Sequence, residues 1–321
     1  MEAVHSIPLL RRADLADRGI DKHGLDRLLR SGALSRIRAG IYTETAAVAD
    51  LRAEGWMVLR ARALASTSTR PPVFSHQTAA ALHGLPLLRP DATRVHVILD
   101  ERRSGTVTQA VRHRGDLRPD EIEMRFGLCV TSLVRTMSDL ARTCDFETAV
   151  CTLDAALRSV AVPHPGVYDA EAARQIKARA LETSHRSAHG VARAARALGF
   201  ADGRAQLPGE SVSRVRIAEI GLRAPRLQVS VPAPSGSDYY LDFGFDDVGV
   251  WGEFDGRGKY TDQTLRSGRS AVDVLLAEKQ REDWIRGVTG RPVIRWGWEH
   301  LADAVTLARR FTAFHVPVPG R

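Results

Sequence analysis

The first sixty residues alternate apolar and polar positions in a way that predicts two short helices and then two strands. Apolar residues recur at helical spacing on both sides of Gly19, and residues 34–42, LSRIRAGIY, alternate apolar and polar residues and bend at Gly40. This order predicts a winged helix, in which a second helix enters a DNA groove and a hairpin contacts the backbone. The basic residues expected to face DNA are Lys22, His23, Arg27 and Arg30 on the helix, with Arg36 and Arg38 on the hairpin. A winged helix that contacts another protein remains the alternative.

Helical and strand periodicities alternate through the middle of the chain. Helices are predicted over 54–64, 75–83, 132–142 and 146–159, and strands over 94–99, 108–114 and 122–130. Residues 163–166, PHPG, interrupt the pattern, and a long helical tract is predicted over 169–198. We therefore expect a winged-helix domain at 1–60, a middle α+β domain at 61–165, a helical connector at 166–205 and a last domain at 206–321.

The last domain has a distinct order of predicted elements. A helix beginning at Pro208 precedes a strand over 227–231 and two further strands that meet at a turn formed by Asp246 and Asp247. A helix over 275–286, a strand over 292–296 and a final helix from Glu299 follow. Helix, three strands, helix, strand and helix predict a mixed sheet flanked by helices, within a multidomain α+β or α/β protein.

Acidic residues lie inside the two strands that meet at this turn. Asp242 belongs to the first strand, and Glu253 and Asp255 share a face with Trp251 near the end of the second, while Phe254 points to the other face. Carboxylates gathered in a partly dry site repel one another unless a divalent cation neutralises them, and oxygen ligands suit Mg²⁺ or Mn²⁺. A solvated hairpin edge with acids near its turn is the alternative.

Composition favours a nucleic-acid partner. The chain has 321 residues, 44% of them hydrophobic and 26% charged, which is typical of soluble multidomain proteins. Its formal net charge is +8, and the basic excess is mostly arginine, a side chain that binds phosphate bidentately. A genome rich in G and C would also enrich arginine, so charge by itself leaves the question open.

Cysteine usage and hydropathy indicate the compartment. The three cysteines have no metal-ligand spacing and are odd in number, as expected for free thiols in a reducing cytoplasm. No run of about 18 apolar residues occurs and the N-terminus lacks the apolar region of a signal peptide, so neither a membrane span nor export is predicted, and no membrane partner is expected. We expect a cytoplasmic protein.

The first half of the chain resembles a known family. The pattern LxRxGxLxRIxxGIY over 28–42, followed by FSHQTAAALHGLP over 74–86, is similar to the antitoxins of AbiE-type (type IV) toxin–antitoxin systems. The resemblance implies a winged helix that binds the system's own promoter and a second domain that opposes a nucleotidyltransferase toxin. It implies no catalytic residue.

The last domain resembles PD-(D/E)XK endonuclease-like proteins related to very-short-patch repair enzymes. The resemblance rests on the element order and on EFDGRGKY followed by KQREDWIRGVTGRPVIRW, and it covers about residues 209–298. It implies that Asp242 and Glu253 are metal ligands, with Asp255 as a third acid and Glu210 as the acid of the first helix. The implied supporting residues are Arg281, Asp283 and Arg295.

One residue departs from that family's pattern. Asp255 stands two positions after Glu253, where the family has a lysine that polarises the scissile phosphate and orients water. Lys279 on the following helix or Lys259 just beyond the strand would then have to supply the basic group. A helix holds a side chain more precisely than a glycine-rich turn does, which favours Lys279.

Two functions are therefore compatible with the sequence. In one, a DNA-binding protein hydrolyses DNA phosphodiesters with Mg²⁺ or Mn²⁺ held by the acids. In the other, a non-enzymatic antitoxin-like regulator keeps the nuclease fold without its activity. Fold alone does not choose between them, and both bind DNA.

Overall fold

The computed structural model describes residues 2–99, 110–256 and 271–319. Within these ranges the chain is a mixed α+β protein with twelve α-helices and three β-sheets, as the sequence predicts at this level. It divides into two compact units. Unit 1 comprises Met1–Thr152 and Gln175–Phe200, and unit 2 comprises Leu153–Arg174 and Ala201–Arg321. The predicted segments 1–60 and 206–321 each lie within one unit, whereas the predicted connector contributes to both.

Unit 1 begins with three helices and a small antiparallel sheet of strand order β1-β3-β2. The elements are α1 (Glu2–Ser6), β1 (Leu10–Arg11), α2 (Arg12–Asp17), α3 (Lys22–Arg30), β2 (Leu34–Arg38) and β3 (Ile41–Glu44). The Asp21 side chain caps α3 by accepting a 2.7 Å hydrogen bond from the Gly24 N–H. Gly40 makes the β2–β3 turn at a φ of 77°, a conformation that suits glycine.

The remainder of unit 1 contains a five-stranded sheet of order β6-β5-β4-β8-β7, in which β5/β6 and β4/β8 are parallel. Its strands are β4 (Val73–Phe74), β5 (Val95–Leu99), β6 (Ala110–Arg114), β7 (Ile122–Arg125) and β8 (Leu128–Thr131). Its helices are α4 (Ala53–Ala65), α5 (His76–Leu82), α6 (Leu133–Thr143) and α9 (Val191–Phe200). Helices α7 (Phe146–Ala161) and α8 (Ala170–His185) are divided between the two units.

Two predicted elements of this region are wrong in the same way. The single strand predicted over 122–130 is a hairpin, because Phe126 and Gly127 both have positive φ and turn the chain between β7 and β8. The single helix predicted over 169–198 is two helices, because Gly190 has a φ of 82° just before α9. In both cases a glycine at positive φ lies between two elements that the apolar pattern joins into one.

Unit 2 has the predicted order of helix, three strands, helix, strand and helix. Its elements are α10 (Pro208–Glu219), β9 (Arg226–Pro232), β10 (Asp238–Phe245), β11 (Val250–Phe254), α11 (Ala271–Thr289), β12 (Val293–Trp296) and α12 (Ala304–Ala313). The sheet order is β12-β11-β10-β9. Strands β9, β10 and β11 are antiparallel, whereas β11 and β12 are parallel, since α11 lies between them in the chain.

The sheet of unit 2 is covered by helices on both faces. Trp251 and Val229 form a buried cluster with Ile285 of α11. Trp296 and Phe311 of α12 contact each other in a second aromatic cluster, with ring centroids 5.3 Å apart. Short 3₁₀ turns occur at Thr45–Val48, Pro119–Glu121 and Trp298–Leu301. Within the described residues, no helix is both long and apolar enough to cross a membrane.

Candidate functional site

A cavity of about 350 Å³ opens beside the sheet of unit 2. Strands β9, β10 and β12, α11 and the end of β11 line it, and its walls are largely polar. The charged lining residues are Asp242, Glu253, Asp255, Glu278, Arg281 and Arg295. Three of the four acids predicted as the core of the site thus face one space.

Glu253 lies between two arginines at this cavity. The Arg281 Nη2 is 2.7 Å from Glu253 Oε1, and the Arg295 Nη2 is 3.0 Å from Oε2. Burial acts against the charged form of Arg281, yet the Glu253 carboxylate outweighs it and raises the pKa of this guanidinium. Arg281 also donates to the Tyr240 carbonyl oxygen at 2.8 Å. The orientation of Glu253 is therefore fixed from α11 and β12 together.

The two arginines continue into α11. Arg281 is 3.3 Å from Glu278, and Arg295 contacts both Glu278 and Glu282. These two glutamates of α11 were not among the residues predicted for the site. Glu278 lies three residues before Arg281 and four before Glu282 on one helix, so the three side chains share a face. This spacing would have assigned both glutamates to the site once α11 was known to pack against β11.

Asp242 is held by a backbone and a side-chain donor. Its Oδ2 accepts a 2.9 Å hydrogen bond from the Phe254 N–H of the neighbouring strand. Its Oδ1 is 3.5 Å from the Gln228 Nε2, which also donates to Glu210 Oε2 at 3.2 Å. Glu210 is only 2% exposed and does not line the cavity. The fourth predicted acid is thus linked to the site through Gln228.

Close contact between α10 and β11 places these acids. A Cβ built on Gly209 would stand 2.0 Å from the Phe254 ring, so this helix approaches the strand closely only because residue 209 has no side chain. Ser213, one turn later, accepts a 2.8 Å hydrogen bond from the indole N–H of Trp296 on β12. As predicted, Phe254 lies on the face opposite Trp251 and Glu253, which contact α11.

Of the other residues predicted for the site, Asp255 lines the cavity, whereas the described ones on α11 do not. Asp255 follows β11, and its N–H donates to the Trp296 carbonyl oxygen at 2.8 Å. Lys279 and Asp283 are exposed on α11 and are not among the residues that line the cavity. Lys259 lies outside the described residues.

The donor set of the cavity can be tested against a divalent cation. The described lining contains four carboxylates and two guanidiniums, an excess of two negative charges, which one Mg²⁺ or Mn²⁺ would neutralise. A carboxylate has about four lone-pair positions, so the arginine contacts leave Glu253 oxygens able to bind an ion as well. In the described part of the chain, no group of three His, Cys, Asp or Glu side chains is arranged closely enough to hold a metal ion. The carboxylates of the lining are therefore suitable ligands for the ion. In this structure both oxygens of Glu253 contact arginines.

The residues predicted to contact DNA lie on the surface of unit 1. Lys22, His23, Arg27 and Arg30 are exposed on α3. On β2, Ile37 is buried, Arg36 is exposed and Arg38 is half-buried. The apolar side of the two helices and the sheet forms a core of Leu15, Leu25, Leu34 and Tyr42.

Three stacked histidines in unit 1 were not predicted to be together. The ring centroids of His76 and His113 are 3.4 Å apart and those of His96 and His113 are 5.1 Å apart, and within each of these two pairs the ring planes are within 15° of parallel. Burial lowers the pKa of His76 well below its usual value and lowers that of His113 to about 4. His96 Nδ1 and His113 Nε2 are 2.9 Å apart and share a hydrogen bond, and within the described residues no group of three such side chains could hold a metal ion.

The chain was compared with known proteins. No family model matches it. The uncharacterized proteins MT2308 and Rv2248 of Mycobacterium tuberculosis, from strains CDC 1551 / Oshkosh and ATCC 25618 / H37Rv, are each 29% identical to it over 233 residues, which is 72% of this chain and 77% of the relative. Among solved structures, the crystal structure of the RV2827C protein from Mycobacterium tuberculosis superposes with a TM-score of 0.37 at 14% identity, over 73% of this chain and 86% of that chain.

Proposed function

We propose that this chain is a DNA-binding protein whose unit 2 is a divalent-metal-dependent endonuclease of the PD-(D/E)XK type, acting on DNA phosphodiesters. The observation that carries the proposal is the gathering of Asp242, Glu253 and Asp255 around one cavity with an excess of negative charge. Charged side chains are costly to hold together unless they have a partner, and a divalent cation is the partner that this excess favours.

The element order of unit 2 supports the same proposal. A helix bearing a buried acid, three antiparallel strands, a crossover helix and a parallel fourth strand is the order that the resemblance to PD-(D/E)XK proteins implies. In unit 1, the capped helix α3 and the β2–β3 hairpin correspond to the recognition helix and wing of a winged helix. The exposed basic residues of both elements supply the phosphate contacts in this proposal.

Each residue of the site has a role in the proposed reaction. Asp242, Glu253 and Asp255 would hold Mg²⁺ or Mn²⁺, which when bound lowers the pKa of a water molecule and neutralises charge on the phosphate. Arg281 and Arg295 fix the Glu253 carboxylate from two sides. The N–H of Phe254 fixes Asp242. Lys279, which is exposed on α11 and is not among the described residues that line the cavity, or else Lys259, would have to reach the scissile phosphate to supply the basic group.

Cleavage of supercoiled plasmid tests this function. The purified chain is incubated with plasmid and Mg²⁺ or Mn²⁺, with Glu253→Gln as the matched control, because this change removes one charge and keeps the shape. We expect the parent to produce nicked or linear DNA and Glu253→Gln to produce neither. No cleavage by the parent with either ion, under conditions in which it binds the DNA, would reject the proposal.

A second function is favoured by the environment of Glu253. Both of its oxygens are bound by arginines, and no lysine is among the described residues that line the cavity. An antitoxin-like transcriptional regulator with an inactive nuclease fold, partnered by a nucleotidyltransferase toxin, would have such a site. It predicts tight binding to the DNA upstream of the chain's own gene and no cleavage with any divalent ion.

A further inference from the structure

Gln228 has an unusual backbone for a residue inside a strand. Its φ is 51°, in the left-handed region that side-chain-bearing residues rarely adopt. The ladder continues on either side of it, since Leu227 pairs with Phe243 and Val229 pairs with Leu241. Among the described strands β9 is at the edge of its sheet, so the distortion interrupts pairing with β10 alone. Such strain persists only where the surrounding contacts favour it.

The hydrogen bonds of the Gln228 side chain explain why the strained backbone is retained. Its Nε2 donates to Glu210 at 3.2 Å and faces Asp242 at 3.5 Å, so one amide group joins two carboxylates. Ionised carboxylates only accept hydrogen bonds, so the amide nitrogen has to be the end that faces them. The amide oxygen accepts a 2.6 Å hydrogen bond from the Gln206 side chain, which holds the amide in that orientation.

Gln206 completes the arrangement from a second direction. Its backbone N–H donates to Glu210 Oε2 at 2.9 Å, the same oxygen that accepts from Gln228. Gln206, Gln228 and Asp242 all line the cavity, whereas Glu210 lies buried behind it. The amide therefore stands between a buried acid and an acid that faces the cavity.

We propose that Gln228 is a positioning residue of the metal site: its amide fixes Asp242 relative to Glu210 and thereby presents the Asp242 carboxylate to the cation. This inference rests on the proposed function. The strained backbone conformation is what allows a side chain of β9 to contact both acids. Residues that orient a metal ligand commonly change metal affinity when they are replaced, although they do not touch the ion.

Two replacements at this position separate positioning from packing. Gln228→Gly removes the amide and adopts a positive φ without a steric penalty, whereas Gln228→Ala removes the amide and keeps the strain. In the full-length chain, both should weaken Mn²⁺ binding by about 10- to 100-fold, measured by calorimetry. The thermal midpoint without metal should equal or exceed that of the parent for Gln228→Gly and fall for Gln228→Ala.

His315→Gly is the matched control, since His315 is an exposed residue of unit 2 with a φ of 61° and does not line the cavity. It should raise the thermal midpoint and leave Mn²⁺ affinity unchanged. If Gln228→Gly binds Mn²⁺ as tightly as the parent does, Gln228 is not a positioning residue, and the proposed function stands. If the parent binds no Mn²⁺, both the proposed function and this inference are overturned.

Discussion

Arg281 donates from Nη2 to Glu253 at 2.7 Å and to the carbonyl oxygen of Tyr240 at 2.8 Å. One guanidinium of α11 thus connects the backbone of β10 to the acidic side chain of β11. The planar group presents several donors in fixed directions, which a lysine ammonium cannot reproduce. The position of Glu253 in the cavity consequently depends on the packing of α11 against the sheet.

Replacing Arg281 should therefore affect both stability and metal binding. Arg281→Ala leaves a largely buried carboxylate with one arginine instead of two, and we expect a loss of about 2 kcal/mol in the free energy of unfolding. Arg281→Lys should recover less than half of that loss. Arg286→Ala is the control, because Arg286 is exposed on the same helix with a 3.8 Å contact to Glu282, and it should change stability by less than about 0.5 kcal/mol. Urea unfolding measures all three; equal losses for Arg281→Ala and Arg286→Ala would contradict the assigned role.

The proposed hairpin contacts predict a salt-dependent change in DNA binding. Arg36→Ala with Arg38→Ala should weaken duplex binding and reduce the slope of log K against log salt by about 2, since each lost phosphate contact removes roughly 0.9. The matched control is Arg70→Ala with Arg94→Ala, which removes the same charge from exposed residues outside α3 and β2. Fluorescence anisotropy across a salt series measures both. Identical slopes for the two double variants would exclude β2 as a phosphate-contacting element.

The two candidate lysines can be separated by cleavage assays. Lys279→Ala should lower Mg²⁺-dependent cleavage by at least about 100-fold, as loss of a group that stabilises transition-state charge does. DNA affinity should be nearly unchanged, because unit 1 supplies most of the proposed phosphate contacts. Gln280→Ala, at the next exposed position of α11, serves as the control and should cleave like the parent. Parent-rate cleavage by Lys279→Ala combined with loss in Lys259→Ala would assign the role to Lys259.

A methyl group at residue 209 should disturb the acidic site, because Gly209 of α10 packs against Phe254 of β11. Gly209→Ala would bring a Cβ to within 2.0 Å of the Phe254 ring, so α10 or β11 must shift. Overpacking of this kind costs about 1–3 kcal/mol, and thermal unfolding should show the loss. Gly287→Ala is the control, because Gly287 lies on α11 with no atom within 4 Å of a built Cβ, and it should stabilise by about 0.5–1 kcal/mol. A neutral Gly209→Ala variant would show that α10 does not hold β11 in this position.

The stacked histidines predict acid sensitivity of unit 1. Burial depresses the pKa of His76 and His113 in the folded protein, so the unfolded chain binds more protons between about pH 6.5 and pH 4. Their contribution to stability is therefore complete above pH 6.5 and is lost as pH falls towards 4. His113→Gln should flatten the decline of the thermal midpoint between pH 7 and pH 5, whereas the exposed His185→Gln should not. An unchanged decline in His113→Gln would refute this account.

Local chemistry in the sequence determined the order of elements. Pro208 begins α10, Asp21 caps α3 and Gly40 turns the hairpin, because these preferences act within a few residues of chain. Strand alternation likewise determined that Glu253 would share a face with Trp251. The two misjudged boundaries involved glycines whose positive φ interrupted an apolar pattern that otherwise continued.

The contacts that define the site were decided by tertiary structure. Glu253 meets Arg295 only because β11 and β12 pair in one register, and it meets Arg281 only because α11 packs on that face of the sheet. The amide of Gln228 reaches Asp242 through a backbone conformation that the residue type does not favour. Such contacts join residues from separate elements, so their geometry depends on strand register and helix packing, which periodicity along the chain does not encode.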